Sequence, residues 1–87
     1  MSLKGEKASA HNNLGLSYFE REDFEEALTE FTKAINLEPH SFHYNNRGLA
    51  HYHIGKLEEA KSDYDKAISL NPDDPFFYFN RGNVYLN

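Results

Sequence analysis

Histidine is the side chain here best fitted to chemistry, since imidazole can ligate a metal or move a proton near neutrality. The chain has five: His11, His40, His43, His51 and His53. His51 and His53 are the closest pair, with His43 a turn or more away. Residues two apart on a helix diverge by about 200°, so these two rings cannot converge on one ion. The carboxylate pairs Glu25-Glu26 and Glu58-Glu59 stand early in helical segments, where they complement the helix dipole rather than form an acid/base couple. No Ser/His/Asp arrangement, phosphate-cradling glycine loop or cofactor fingerprint is present. The expectation is a protein with no catalytic residue, no metal site and no cofactor. Amides are what remain: Asn13, Asn46 and Asn80 recur, and a side-chain amide offers both a donor and an acceptor.

Composition narrows the partners. Eighty-seven residues make one small domain, and the absence of cysteine leaves neither a disulfide framework nor a Cys-based metal site. Nine Lys and Arg against 14 Asp and Glu give a net charge of -5, without the basic surplus that phosphate binding needs. Nucleic acid is therefore not an expected partner. Neither is a membrane, because no apolar run approaches roughly 18 residues and the first residues carry no apolar signal segment. The chain reads as soluble and intracellular, with the cytoplasm as the expected compartment. Met1-Ser2-Leu3 fits no pattern that follows and reads as a cloning leader.

The elements that position these side chains come from an internal repeat. Aligning Ala8-His40 with Ser41-Asp73 gives 12 identities in 33 positions, including both asparagines of each Asn-Asn pair, a glycine, Glu-Glu-Ala, Lys-Ala-Ile and a proline. A third partial copy begins at Pro75, with Phe76, Tyr78, Asn80, Arg81 and Gly82 matching Phe42, Tyr44, Asn46, Arg47 and Gly48. Within a copy the period is helical: Phe24, Ala27, Leu28, Phe31, Ala34 and Ile35 form one apolar stripe. Asp23 and Glu26 predict a capping box at its start, and Pro39 closes its end. The second copy runs from Leu57 through Ala60, Tyr64 and Ala67 to Pro72, with Lys61 where the first has Leu28. First helices are expected near Lys7-Glu20, Ser41-Ile54 and Pro75-Leu86, the last opened by Asp74 as cap and Pro75 as first residue. Gly15, Gly48 and Gly82 sit inside them at one phase, at a cost of roughly 1 kcal/mol each relative to alanine. A close helix crossing opposite the small Ala27 and Ala60 would offset that cost, with Phe31 and Tyr64 filling the space one turn on.

These residues resemble the tetratricopeptide repeat, a helix-turn-helix unit of about 34 residues with the pattern W-x2-L-G-x2-Y, then A-x3-F, A and P. Copy one supplies Leu14, Gly15, Tyr18, Ala27, Phe31, Ala34 and Pro39, with His11 at the tryptophan position. Copy two supplies Tyr44, Gly48, Ala60, Tyr64, Ala67 and Pro72, with Arg47 and His51 replacing leucine and tyrosine. Copy three gives Tyr78, Gly82 and Tyr85. The resemblance implies an all-α, right-handed α-solenoid of five helices: a leader (1–7), repeat one (8–40), repeat two (41–74) and the first helix of repeat three (75–87). Copy one is a residue short, and the deletion is placed after Pro39-His40. His11 and His51, replacing family aromatics, are expected to be packed side chains.

The resemblance further implies a non-catalytic scaffold whose first helices line a concave groove for a partner peptide or helix. Repeat positions 2, 5, 6, 9 and 13 would line it: Ser9, Asn12, Asn13, Leu16 and Glu20, then Phe42, Asn45, Asn46, Leu49 and His53, then Phe76, Phe79, Asn80 and Asn83. In some relatives this groove is a carboxylate clamp of Lys, Asn, Asn, Lys and Arg that grips acidic chaperone tails. Only Asn13 and Asn46 match it here; Ser9 and Phe76 stand at the lysine positions and Asn80 at the arginine. The phenylalanines suit apolar anchors instead. A co-chaperone and a substrate-selecting arm of a larger enzyme are the alternatives. Arg47 and Arg81 are expected to pack at repeat junctions, each paired with a carboxylate of the previous repeat.

Phe76, Phe77, Tyr78, Phe79, Val84, Tyr85 and Leu86 cannot all be buried against the second repeat. An open apolar edge of this kind predicts a homodimer through helix 75–87, weakened by polar replacement of Phe77 or Leu86.

Overall fold

A computed structural model describes residues 3–86; Met1 and Ser2 of the expected leader lie outside the described residues, as does Asn87. Five helices follow in order: α1 (Leu3–Glu20), α2 (Phe24–Leu37), α3 (Ser41–His53), α4 (Leu57–Leu70) and α5 (Pro75–Tyr85). No strand occurs among the described residues. Each helix packs on the next, and α1 and α5 each also touch α3, which gives a slab of 39 × 29 × 16 Å. The turn before α3 spans residues 38–40 and that before α5 spans 71–74, so the shorter first copy loses its residue in that connection. Helix α1 starts four residues earlier than its apolar pattern, at Leu3.

The two turns inside the repeats share one geometry. Asp23 N–H donates to Tyr18 C=O and Glu22 N–H to Phe19 C=O, and Lys56 to His51 and Gly55 to Tyr52 repeat the set. This is the Schellman motif, which needs a left-handed residue just past the helix end. Gly55 fills that place with φ 82°, whereas Glu22 adopts φ 63° there without glycine's freedom. The motif also removes the capping box expected at Asp23. With ψ at 69°, outside the extended region, its carboxylate makes no cap bond and turns to Arg21 at 3.4 Å. His40 and Asp74 are extended and do cap: Phe42 N–H donates to His40 Nδ1 at 3.1 Å, and Phe76 N–H to Asp74 Oδ1 at 2.9 Å.

The core alternates small residues with single large rings. Ala27, Phe31 and Ala50 form one cluster and Ala60, Tyr64 and Val84 the next, all buried, with Ala34 and Ala67 buried beside them. Phe31 and Tyr64 lie directly on the glycines rather than one turn beyond: a Cβ on Gly15 would stand 2.5 Å from Phe31 Cε1, and one on Gly48 2.7 Å from Tyr64 Cε1. Burial, with Asp63 beside it, pushes the Tyr64 hydroxyl far above its usual range, so the ring stays neutral.

Three packing expectations change. Gly82 meets nothing within 4 Å of a built Cβ, because no helix among the described residues covers that side of α5. Leu14 is 45% exposed. Its phase on a first helix faces the second helix of the preceding repeat, as Arg47 to Thr32 and Arg81 to Asp65 show, and α1 has no such helix before it among the described residues. Phe77 is fully buried within the chain, so it forms core rather than open edge; Leu86 is exposed.

Candidate functional site

A cavity of about 510 Å³ opens on the side where α1 meets α3. Ser9, Asn12 and Leu16 of α1 line it, with Phe42, His43 and Asn46 of α3 and the Glu38 and His40 turn between α2 and α3. The helical period brings these together, since 9, 12 and 16 share one face of α1 and 42 and 46 one face of α3. Five of the residues expected in the groove therefore converge. Asn13 is exposed outside the lining, and Leu49, His53, Phe76, Phe79, Asn80 and Asn83 are not part of it. Phe76 and Phe79 are exposed on α5. His53 stacks on Phe24 at 5.2 Å and meets Phe19 edge-on.

The asparagines pair across repeats. Asn46 Nδ2 donates to Asn12 Oδ1 at 2.9 Å, and Asn80 Nδ2 donates to Asn45 Oδ1 at 2.8 Å. Asn12 and Asn45 are equivalent, as are Asn46 and Asn80, so each junction joins position 5 of one repeat to position 6 of the next. The second pair is buried, with Asn45 and Asn80 both below 5% exposed. The first pair lies in the cavity wall. There the spent groups are the Asn12 oxygen and one Asn46 N–H, which leaves the Asn12 amide as donor and the Asn46 oxygen as acceptor. Phe42 flanks them, 48% exposed, its ring edge-on to buried Phe77 at 5.7 Å and stacked with His40 at 5.4 Å. No lysine or arginine lines the cavity.

Two buried carboxylates went unnoticed in the sequence. Glu30 and Asp63 are equivalent residues just before Phe31 and Tyr64, on the buried stripe between the two alanines of each second helix. His11 Nδ1 donates to Glu30 Oε1 at 2.8 Å, and Lys33 adds a 3.4 Å contact. The His11 hydrogen bond, opposed by burial and helped by Lys33, holds Glu30 below the ordinary carboxylate range. Asp63 accepts from Arg47 Nε at 3.0 Å and Nη2 at 2.8 Å, and from His51 Nδ1 at 2.9 Å. Arg47 thus pairs within its own repeat and reaches the previous one only through Thr32, at 3.4 Å. Arg81 does pair with the previous repeat, through Nη1 to Asp65 at 2.9 Å. Burial of Asp65 works against that bond, yet Arg81 and Lys61 together hold its carboxyl below the usual range. Tyr44 and Tyr78 lie under these two guanidiniums at 5.7 and 5.5 Å. The packed histidines His11 and His51 are therefore hydrogen-bond partners of buried acids. The signal for them was a carboxylate in phase with an apolar stripe, recurring in both copies.

Among the described residues, no three His, Asp or Glu side chains gather as metal ligands, and no helix is long and apolar enough to cross a membrane.

Family models for the tetratricopeptide repeat match residues 8–41, and for the TPR repeat residues 48–87. No curated protein sequence matches the chain. Among solved structures, the first TPR of Spaghetti (RPAP3) bound to the HSP90 peptide SRMEEVD superposes with a TM-score of 0.92 at 28% identity, over 94% of this chain and 66% of that one. The TPR2AB domain of yeast Sti1 in its HSP90 complex gives 0.91 at 28%, over 93% of this chain and 32% of that one. The second TPR domain of human RPAP3 in complex with the HSP70 peptide SGPTIEEVD gives 0.88 at 29%, over 91% and 67%. The chain spans just under two thirds of the first of these and about a third of the yeast domain.

Proposed function

Since the chain belongs to the tetratricopeptide repeat family, whose fold is a protein-interaction scaffold, we propose that its α1/α3 cavity holds an extended segment of a partner protein without catalysis. The observation that carries this is the Asn12–Asn46 pair, set in the cavity wall between Leu16 and Phe42. Its free donor and acceptor match a peptide C=O and N–H and fix register without reading side chains. Leu16 and Phe42, both partly exposed, supply apolar contact for the peptide's own anchors. Phe76 and Phe79, exposed on α5, offer further apolar surface for a longer peptide, whereas Asn13, Leu49, His53, Asn80 and Asn83 lie outside the cavity lining.

A second reading follows from the relatives, which were solved with HSP90 and HSP70 peptides. Against it stands the lining, whose one charged side chain other than histidine is Glu38, while Arg47 and Arg81 are committed to Asp63 and Asp65. Carboxylates entering this cavity would meet no compensating cation in its wall.

Fluorescence polarisation with short peptides selected by phage display, beside SRMEEVD as free acid and as amide, separates the two. Selected peptides should carry aromatic or aliphatic anchors, bind alike as acid and amide, and lose binding in the Phe42→Asp variant. Binding of SRMEEVD that vanishes on amidation would establish the chaperone-tail reading instead.

A further inference from the structure

The histidines are held by different chemistry, and a proton affects them differently. His11, His43 and His51 each donate from Nδ1 to an oxygen: the Glu30 carboxylate, the Glu38 carbonyl and the Asp63 carboxylate. These bonds survive protonation, because an imidazolium still carries that N–H. His53 is placed by its ring contacts with Phe24 and Phe19. His40 differs from all of them, since its Nδ1 accepts the Phe42 N–H at 3.1 Å. A backbone amide only donates, so Nδ1 is bare and the proton of the neutral ring sits on Nε2. Protonation turns this acceptor into a donor. Two N–H groups would then face each other, with a positive charge at the N-terminus of α3, where the helix dipole opposes it. Asp74, at the equivalent place before α5, makes the same bond with a carboxylate oxygen, which accepts in its charged form.

The residue that this ring holds is the aromatic wall of the α1/α3 cavity. The His40 imidazole caps the Phe42 amide and also stacks on the Phe42 ring, at 5.4 Å and 16°. It is exposed, so solvent protons reach it. The other ionisable groups of the lining are Glu38 and His43; α1 contributes Ser9, Asn12 and Leu16, and α5 meets Phe42 through Phe77, none of them ionisable. His43 keeps its bond to the Glu38 carbonyl in either state, and its ring lies 5.6 Å from that of His40, so charging both rings adds repulsion. The Glu38 carboxylate, in the same lining, is the acceptor to which a charged His40 ring would turn.

Resting on the peptide-binding role of this cavity, we propose that His40 is a positioning residue for the peptide and makes its binding proton-dependent. The neutral ring holds Phe42, backbone and side chain together, in the arrangement that receives the peptide. Protonation frees the α3 N-terminus and the Phe42 ring, and the grip on the peptide weakens. By linkage the effect is reciprocal, and a bound peptide keeps the ring neutral.

Two measurements test this, one of them without any peptide. Proton–nitrogen correlation spectra of the wild-type imidazoles should show His40 as the Nε2–H tautomer and His43 as the Nδ1–H tautomer at about pH 8. On acidification to about pH 5.5, across the range where imidazole ordinarily titrates, the Phe42 amide proton should lose its hydrogen-bonded shift in step with the His40 ring. In the His40→Asn variant that shift should hold, because an asparagine oxygen caps without titrating. The second measurement is fluorescence polarisation with an N-acetylated, C-amidated peptide, selected by phage display from a library lacking His, Asp and Glu so that the probe itself does not titrate. Its affinity should fall roughly fivefold between the same two pH values, the scale of one lost N-cap. The fall should persist in His43→Asn and vanish in His40→Asn. Equal wild-type affinity at both pH values, a fall that survives His40→Asn, or an Nδ1–H tautomer at His40 would overturn the proton dependence and leave peptide binding standing. Absence of binding at every pH would overturn the peptide-binding role of the cavity, and the proton dependence with it.

Discussion

A methyl group added at Gly15 would stand 2.5 Å from the ring of Phe31, and the same group at Gly82 would touch nothing. Gly15→Ala must therefore displace a wholly buried ring and should destabilise by about 1–3 kcal/mol, whereas Gly82→Ala should stabilise by up to about 1 kcal/mol through helix propensity alone. Urea unfolding of the two variants tests this, and equal shifts would contradict the packing account. Asp63 makes a second residue-scale case. Its loss leaves a half-buried guanidinium and the His51 ring without their acceptor, so Asp63→Ala should cost about 3 kcal/mol. Glu30 is subtler because its carboxyl is held below its ordinary value of 4.5, chiefly by His11. A depressed carboxylate stabilises the fold above its unfolded pKa and withdraws that contribution as pH falls through the folded one. The stability gap between wild type and Glu30→Gln should therefore be full above about pH 5 and close as the solution is acidified. Neither acid was read from the sequence, because burial of a carboxylate depends on a partner from another helix, and the partners lie 19 residues from Glu30 and 12 and 16 from Asp63.

At the scale of elements, helix existence and order were legible because the apolar stripe and the repeat reinforce each other. Caps were less so. Asp23 has the right side chain for an N-cap, but the Schellman turn sets its backbone first and aims the carboxylate away from the amides. His40, not a typical cap, performs the task because its backbone is extended and its ring nitrogen reaches Phe42 N–H. The turns carry their own prediction. Glu22 and Gly55 are equivalent and both left-handed, yet one of them has a Cβ. Gly55→Ala should cost about 1 kcal/mol, with no steric contribution since its surroundings are open. Glu22→Gly should be neutral to stabilising by a similar amount, because relief of the strained φ outweighs or cancels the added freedom of the unfolded chain. For a domain of this size each kcal/mol moves the melting temperature by about 4–8 °C, which makes both changes measurable. The groove's register shows the same limit of sequence reading. Period and resemblance brought Ser9, Leu16, Phe42 and Asn46 to one surface, but the contact that joins repeats is Asn46 with Asn12 rather than a column of Asn13, Asn46 and Asn80. The two asparagines of each pair differ by one residue, about 100° of helix, and only the neighbouring helix decides which one faces inward.

For the molecule as a whole, contacts run only between neighbouring helices and next neighbours, with none linking α1 to α4 or α5. Stability in such a stack is a sum of unit and interface terms, so a perturbation should stay near its origin. The junctions are not uniform, however. The α3–α5 junction holds the buried Asn45–Asn80 bond and the fully buried Phe77, while the α1–α3 junction holds the half-buried Asn12–Asn46 pair beside an open cavity. The cavity side is therefore where this solenoid should open first, and that suits a surface proposed to admit a peptide. Amide hydrogen exchange can read this helix by helix. In the wild type, protection should be highest in α2, α3 and α4, which are packed on both sides, and lower in α1 and α5. Gly15→Ala should accelerate exchange in α1 and α2, and less in α3, whose Ala50 packs in the Phe31 cluster, while leaving α4 close to its wild-type rate, since neither ring nor cluster includes a residue of α4. A uniform acceleration across all five helices would mean that the stack unfolds as one cooperative unit, and that the Asn12–Asn46 junction couples the repeats as tightly as the buried one does.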